Sequence, residues 1–158
     1  MKPSEKAYQA IKNREKLRLN SYKLPNEKHY TIGWGHYCDY SDPRNRQWDK
    51  PGARITQAQA DALLSEDVAK KTKVLNSVIK VPVAQNLYDA LASTTYQYNP
   101  NNKTLNKIFA AVNLGKPLQE IAKMIKAMPG VLYNQKARKV DAILATTGEV
   151  KHIDTITV

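Results

Sequence analysis

Several kinds of residue and motif are scarce in this chain of 158 residues, and each scarcity narrows what the protein can be. A single cysteine, Cys38, excludes an internal disulfide framework and indicates a buried, chemically idle thiol. No apolar run approaches the ~20 residues that a membrane-spanning helix needs, so we expect no membrane span. The three histidines and Cys38 lack the spacing of metal ligands, and no phosphate-binding loop or nucleophile elbow is present. We therefore expect no metal and no organic cofactor.

Acidic residues are also scarce: 14 Asp and Glu stand against 25 Lys and Arg, giving a formal charge of +11. Such an excess attracts polyanions, and nucleic acid, anionic lipid and bacterial cell wall all qualify. A solvated basic surface that serves solubility is the plainer interpretation. The first residues, Met-Lys-Pro-Ser-Glu-Lys, form no apolar stretch of the kind a secretion signal needs, so we expect synthesis in a cytoplasm.

An apolar content of 42% is enough for a folded core, and the length predicts one domain or one domain with two lobes. Ser4 is a candidate N-cap of a first helix, and Glu15 falls near the end of that helix. Residues 19–36 predict a β-hairpin because Pro25 and its polar neighbours separate two β-prone runs. Residues 37–54 predict an irregular loop or an extra strand.

The rest of the chain predicts helices separated by clear breaks. Thr56 to Gln59 fit a capping box, and a long helix should follow and end before Pro82. Further helices are expected over residues 83–98, over residues 103–112, from Pro117 to the Pro129-Gly130 pair, and from Asn134 to about Thr146 with Gly148 as the C-terminal cap.

One segment carries most of the chemistry. It reads Glu15-Lys-Leu-Arg-Leu, then Tyr22, then Tyr30-Thr31-Ile-Gly-Trp-Gly-His36. This segment resembles the catalytic hairpin of T4-type phage lysozymes, the endolysin muramidases similar to glycoside hydrolase family 24. Their pattern is Glu-Gly-Leu-Arg-Leu, a Tyr, an Asp, a turn and Thr-Ile-Gly-x-Gly-His. Weaker matches continue in order along the chain, and the resemblance covers roughly residues 5–148.

The resemblance implies an α+β fold that is mainly α, lysozyme-like, with a small β-hairpin lobe and a larger helical lobe joined by a long helix. A single domain would then hold a β-containing lobe with a cleft over about residues 15–58. Residues 1–14 and 59–148 would form the helical lobe, and residues 149–158 an unassigned tail.

The implied activity is hydrolysis of the β-1,4 bond between N-acetylmuramic acid and N-acetylglucosamine in peptidoglycan. The enzyme would be a monomer whose partner is bacterial peptidoglycan, with no nucleic acid involved. Made in the host cytoplasm without a signal peptide, it would act on the wall after release during lysis or after delivery by the virion. A basic nucleic-acid-binding helical protein is a rival that explains the charge but leaves the Thr31–His36 motif unexplained.

The resemblance also assigns roles to individual residues. Glu15 would be the general acid, and the Thr31 hydroxyl would hold water on the opposite face of the sugar. Tyr30 is a candidate sugar platform. In the helical lobe, Gln97 would hydrogen-bond an N-acetyl group or a peptide stem, and Arg138 would pair with a stem carboxylate. The histidine of the motif, His36, is expected to be structural, and its two glycines to allow a positive φ or a close backbone approach.

The second carboxylate of the family is missing at its usual spacing. Counting nine residues from Glu15 gives Leu24, and counting six back from Thr31 gives Pro25, because the turn is one residue longer. Glu27 on the turn is one replacement, and Asp39 just past the Thr31 strand is another. The third alternative is a chain without a second carboxylate, a non-catalytic lysozyme-fold protein that binds cell-wall glycan. Two further acidic residues remain outside candidates, Asp42 and Asp49.

Overall fold

The computed structural model describes residues 1–157, and within that range it contains six α-helices and three short strands. The helices are α1 (Glu5–Glu15), α2 (Gln57–Val78), α3 (Gln85–Gln97), α4 (Lys103–Asn113), α5 (Leu118–Lys126) and α6 (Leu132–Thr147). The strands are β1 (Arg18–Tyr22), β2 (Thr31–Gly33) and β3 (His36–Tyr37), and two 3₁₀ helices span Pro43–Gln47 and Ile153–Thr155. The predicted α+β class, mainly α, is confirmed.

The three strands form one antiparallel sheet in the order β1-β2-β3. The predicted hairpin is confirmed as β1 and β2, in which Tyr22 pairs with Thr31. A second tight turn at Gly35, whose φ is +84°, then reverses the chain into β3. In β3, Tyr37 pairs with Thr31 from the other side. The segment predicted as a loop or an extra strand therefore begins with a strand and continues into the first 3₁₀ helix.

The predicted capping box starts α2. Thr56 Oγ1 accepts a hydrogen bond from Gln59 N at 3.1 Å, and Gln59 Oε1 accepts one from Thr56 N at 2.8 Å. Each side chain thereby satisfies a backbone donor that the first turn of a helix leaves without a partner.

The chain divides into two compact units. The sheet unit is Glu15–Ala69, and the helical unit is Met1–Arg14 together with the chain from Lys70 onward. The division falls within α2, later than the predicted lobe boundary near residue 58. The sheet unit carries eight basic and eight acidic residues, so the other 17 basic and six acidic residues give the helical unit the entire net charge of +11.

The sheet unit has a small apolar core between the sheet and the first turns of α2. Ile32 of β2 is fully buried there with Ile55 and Leu63. Gly33, at a φ of +70°, lets the strand approach α2, because a Cβ at this position would lie 3.3 Å from the Cβ of Ala60. Cys38 is buried in the same core, and burial raises the pKa of its thiol to about 12, which agrees with an idle thiol.

The helical unit has the larger core, built mainly from α3, α4, α5 and α6. Gly148 ends α6 in the left-handed conformation at a φ of +76°, as expected of a C-terminal glycine cap. Residues 149–157 of the unassigned tail pack onto this unit, since Ile153 is buried in the core and Lys139 Nζ donates to the carbonyl of Thr157 at 2.9 Å; residue 158 lies outside the described residues. Between residues 1 and 157, no helix is long and apolar enough to cross a membrane.

Candidate active site

The sheet unit carries an open groove of about 470 Å³. Its walls come from the end of α1, from β1, β2 and β3, and from the two turns between the strands. The lining residues are Glu15, Tyr22, Leu24, Glu27, Thr31, Gly35 and Tyr37. Two of them are carboxylic acids and one is a buried hydroxyl, so the groove combines groups that can transfer a proton with a group that can hold water.

The Glu15 side chain lies in the groove against Gly35. It is the last residue of α1, and Lys16 follows in the left-handed region at a φ of +61°, where the resembled pattern has glycine. A Cβ on Gly35 would lie 2.6 Å from Glu15 Oε2 and 3.0 Å from Glu15 Cδ. The missing side chain at Gly35 therefore leaves the space that the Glu15 carboxylate occupies.

Glu27 reaches the groove from a tight turn. Its backbone N donates to the carbonyl of Leu24 at 3.1 Å, which closes a turn with Pro25 at the second position, where proline is favoured. Glu27 Oε2 is buried and has no hydrogen-bond partner among the described residues. Burial, then Glu15, raises the pKa of Tyr22, and Glu27 adds to this effect, so both carboxylates act on one phenol.

Thr31 and Tyr37 lie side by side at the floor of the groove. Thr31 is the first residue of β2, is 8% exposed, and pairs directly with Tyr37 of β3. Tyr37 was not predicted as a site residue. Alternation counted again from the Gly35 turn would have identified it, because paired residues of neighbouring strands share a face.

Asp39 is not among the residues that line the groove. Its carboxylate Oδ1 accepts hydrogen bonds from the backbone N of Ser41 at 3.0 Å and from the Ser41 hydroxyl, and these bonds lower the pKa of Asp39. Its carbonyl accepts from Asn45 Nδ2 at 2.9 Å. Strand alternation would place Asp39 on the face of Thr31 only if β3 continued, but β3 ends at Tyr37.

The two outside candidates serve local structure. Asp42 caps the first 3₁₀ helix by accepting from Arg44 N at 2.9 Å. Asp49 accepts from Tyr30 N at 2.8 Å and lies 2.8 Å from His29 Nδ1, and both contacts lower the pKa of Asp49. Tyr30, the predicted sugar platform, is not among the residues that line the groove.

His36 is a structural residue, as predicted. Its ring is buried, with Nδ1 2.7 Å from Asp67 Oδ2 on α2 and Nε2 2.8 Å from Asn45 Oδ1. With both nitrogens engaged, the ring joins β3 to α2 and to the first 3₁₀ helix. Trp34 Nε1 likewise donates to Asp61 of α2 at 2.8 Å.

The two site residues predicted in the helical unit form part of a buried polar network. Arg138 has no exposed surface; it donates to Gln97 Oε1 at 3.0 Å and pairs with Asp141 Oδ2 at 3.0 Å. Asp141 also accepts from the hydroxyls of Ser93 at 2.6 Å and Thr94 at 2.8 Å. The full burial of Arg138 leaves it no surface for pairing with a stem carboxylate, so this expectation is not supported by its position.

Fold and groove together define a lysozyme-like glycoside hydrolase, and comparison with known proteins identifies the family. The phage lysozyme family model matches residues 12–143. An endolysin of Acyrthosiphon pisum secondary endosymbiont phage 1 is 33% identical over 86% of this chain and 94% of its own length. An endolysin of Bacillus phage B103 is 35% identical over 97% of this chain, which spans only 57% of that relative.

Solved structures agree with this result. An endolysin from Escherichia coli O157:H7 phage FAHEc1 superposes with a TM-score of 0.77 at 26% identity, covering 96% of this chain and 97% of the other. A P22 lysozyme mutant shares the fold with a TM-score of 0.74 at 23% identity, covering 91% and 97%. The chain belongs to the phage lysozyme family. It is a peptidoglycan-hydrolysing lysozyme, and the non-catalytic glycan-binding alternative is not favoured.

Proposed function

We propose that this muramidase cleaves the β-1,4 bond between N-acetylmuramic acid and N-acetylglucosamine in the groove of the sheet unit, with Glu15 as the general acid. The observation that carries the proposal is that one groove is lined by Glu15, Glu27 and Thr31. Cleavage of a glycosidic bond needs a proton for the leaving oxygen and a second group on the opposite face of the sugar.

Glu27 replaces the missing family aspartate in this proposal. Its longer side chain starts from the turn beyond Leu24, and its buried Oε2 is available to accept a hydrogen bond from a catalytic water. The Thr31 hydroxyl would hold that water from the strand, and the neutral phenol of Tyr22 would contribute a donor between the two acids. Glu15 would donate its proton to the glycosidic oxygen while Glu27 directs water to the anomeric carbon.

We further propose that the enzyme works as a monomer, because one chain supplies both carboxylates and the hydroxyl that the proposed reaction needs. It would reach the wall by release from the host cytoplasm during lysis or by delivery with the virion. The positive charge of the helical unit supports a substrate that bears carboxylates and phosphates.

The direct test is the release of new reducing ends from purified peptidoglycan by the wild type and by Glu15→Gln. We expect Glu15→Gln to lose about 10²- to 10⁴-fold in rate, because a positioned general acid contributes that much. Glu66→Gln, an exposed carboxylate of the same unit outside the groove, is the matched control and should keep the wild-type rate. Wild-type activity in Glu15→Gln would refute the proposal, and wall binding by the wild type without any turnover would favour the glycan-binding alternative.

A further inference from the structure

Three aromatic rings form a row that begins in the groove and ends in solvent. Tyr37 lines the groove; the ring of His29 meets it edge-on, with 5.6 Å between the ring centroids. Tyr40 meets His29 in the same manner at 4.5 Å. Tyr40 is 75% exposed and Tyr37 is 38% exposed, so the row presents aromatic surface to solvent beside the carboxylates.

The middle ring of the row is held in place from two sides. His29 Nδ1 lies 2.8 Å from Asp49 Oδ2, and the backbone N of His29 donates to the Tyr37 hydroxyl at 3.3 Å. The other oxygen of Asp49 accepts from the backbone N of Tyr30. The orientation of His29 is thus fixed by the same carboxylate that fixes the adjoining backbone.

The turn that carries Tyr40 is also constrained. Asp39 accepts hydrogen bonds from both the backbone and the side chain of Ser41, and the Asp39 carbonyl accepts from Asn45. An exposed tyrosine on a mobile loop would lose much conformational freedom on binding a ligand. On this constrained turn the loss is smaller, which favours binding by an aromatic ring.

We propose that Tyr37, His29 and Tyr40 form a saccharide-binding surface that continues the groove, and that Tyr40 stacks on an N-acetylhexosamine ring of the glycan strand beyond the cleaved bond. This inference rests on the proposed function, because the groove is what brings a glycan strand to the row. An amphipathic sugar ring matches the surface: its C–H face packs on an aromatic ring, while its hydroxyl groups remain in water.

Two features favour a glycan strand as the ligand of the row: the row is continuous with the groove, and its exposed residues are aromatic. A strand longer than the groove must cross the neighbouring surface, and Tyr37 belongs to both. The exposed residues of the row, Tyr37 and Tyr40, are uncharged aromatic residues, which suits a sugar ring better than the carboxylate of a peptide stem.

The test measures the affinity of peptide-free glycan strands, sorted by length, by isothermal titration calorimetry. The parent is Glu15→Gln, which prevents cleavage during the measurement, and Tyr40→Ala and Tyr40→Phe are added to it. Leu114→Ala in the same parent is the matched control, because Leu114 is a large side chain of equal exposure in the helical unit.

We expect Tyr40→Ala to weaken binding of long strands about three- to tenfold and to leave binding of a disaccharide unchanged. Tyr40→Phe should keep the parent affinity, because stacking needs the ring and not the hydroxyl. Equal affinities of Tyr40→Ala and Leu114→Ala for long strands would overturn the inference, as would a parent that binds no strand at any length. Failure of the proposed function would appear separately, as a wild type that releases no reducing ends.

Discussion

The two units of this protein differ in net charge, in the size of their cores and in the functional groups that they carry. The sheet unit has no net charge, a small core and the groove with both carboxylates, whereas the helical unit has a large core and the entire charge of +11. One ion pair from each unit illustrates how burial changes what an ion pair contributes to stability. The Arg138–Asp141 pair of the helical unit is fully buried, whereas Arg44 of the sheet unit is half exposed where it pairs with Glu66. The proposed catalytic groups therefore lie in the unit without net charge, and the fully buried ion pair lies in the unit with the larger core.

The largest expected effect is a loss of stability when the buried polar network around Arg138 is disrupted. Asp141→Ala removes the partner of Arg138 and the acceptor of two hydroxyls, so we expect the free energy of unfolding to fall by about 3–5 kcal/mol. Urea titration followed by circular dichroism measures this change. Glu66→Gln removes an exposed pair and should leave the midpoint of the titration unchanged. Equal midpoints for the two variants would contradict the contrast between the units.

The next prediction tests whether the absence of a side chain at Gly35 determines the position of Glu15. Gly35→Ala places a Cβ against the Glu15 carboxylate and adds backbone strain, so we expect at least a tenfold loss of reducing-end release together with a loss of about 1–2 kcal/mol in stability. Gly52→Ala is the matched control: its φ is +74° and no atom lies within 4 Å of the new Cβ. Gly52→Ala should lose a similar amount of stability through backbone strain, but its release of reducing ends per folded molecule should match the wild type. A Gly35→Ala enzyme with full activity would show that the space at Gly35 does not determine the position of Glu15.

A smaller effect depends on pH. The contacts with Tyr30 N and His29 hold the pKa of Asp49 below its usual value, so this carboxylate stabilises the fold above the unfolded-state pKa of about 4. That contribution is lost as pH falls through the lower folded-state pKa. Asp49→Ala should therefore cost about 1 kcal/mol at pH 7 and much less at pH 3. Unfolding midpoints at the two pH values test this, and an equal loss at both would assign the effect to packing.

The smallest effect concerns charge. Lys123 and Lys126 are exposed on α5, and replacing both with Glu should weaken adsorption to bacterial walls several-fold at low salt. Lys28→Glu with Lys50→Glu makes the same change of net charge in the sheet unit, where both lysines are also exposed. Sedimentation of each variant with purified walls, repeated at rising salt, measures the difference. Identical losses for the two pairs would mean that only the net charge matters.

Local signals in the sequence are enough to predict most elements of this fold. The Thr56–Gln59 box and the Gly148 cap form as expected, because helix ends are determined by side chains a few residues apart. The residues of the groove and of the buried network were harder to predict, because their positions depend on contacts between separate elements. The turn at Gly35 pairs Tyr37 with Thr31, and β3 ends before Asp39; neither feature can be seen in the alternation of a single strand. The burial of Arg138 depends on contacts with residues 41 to 44 positions earlier, which helical spacing alone does not reveal.

We propose that Glu27, on the turn, supplies the second carboxylate to the groove of Glu15. The most direct test compares Glu27→Gln with Asp39→Asn for reducing-end release from peptidoglycan, with unfolding midpoints measured for both. We expect Glu27→Gln to lose at least tenfold in rate while remaining folded, and Asp39→Asn to keep the wild-type rate. Full activity in Glu27→Gln together with a loss in Asp39→Asn would refute the role of Glu27 and assign the second carboxylate to Asp39.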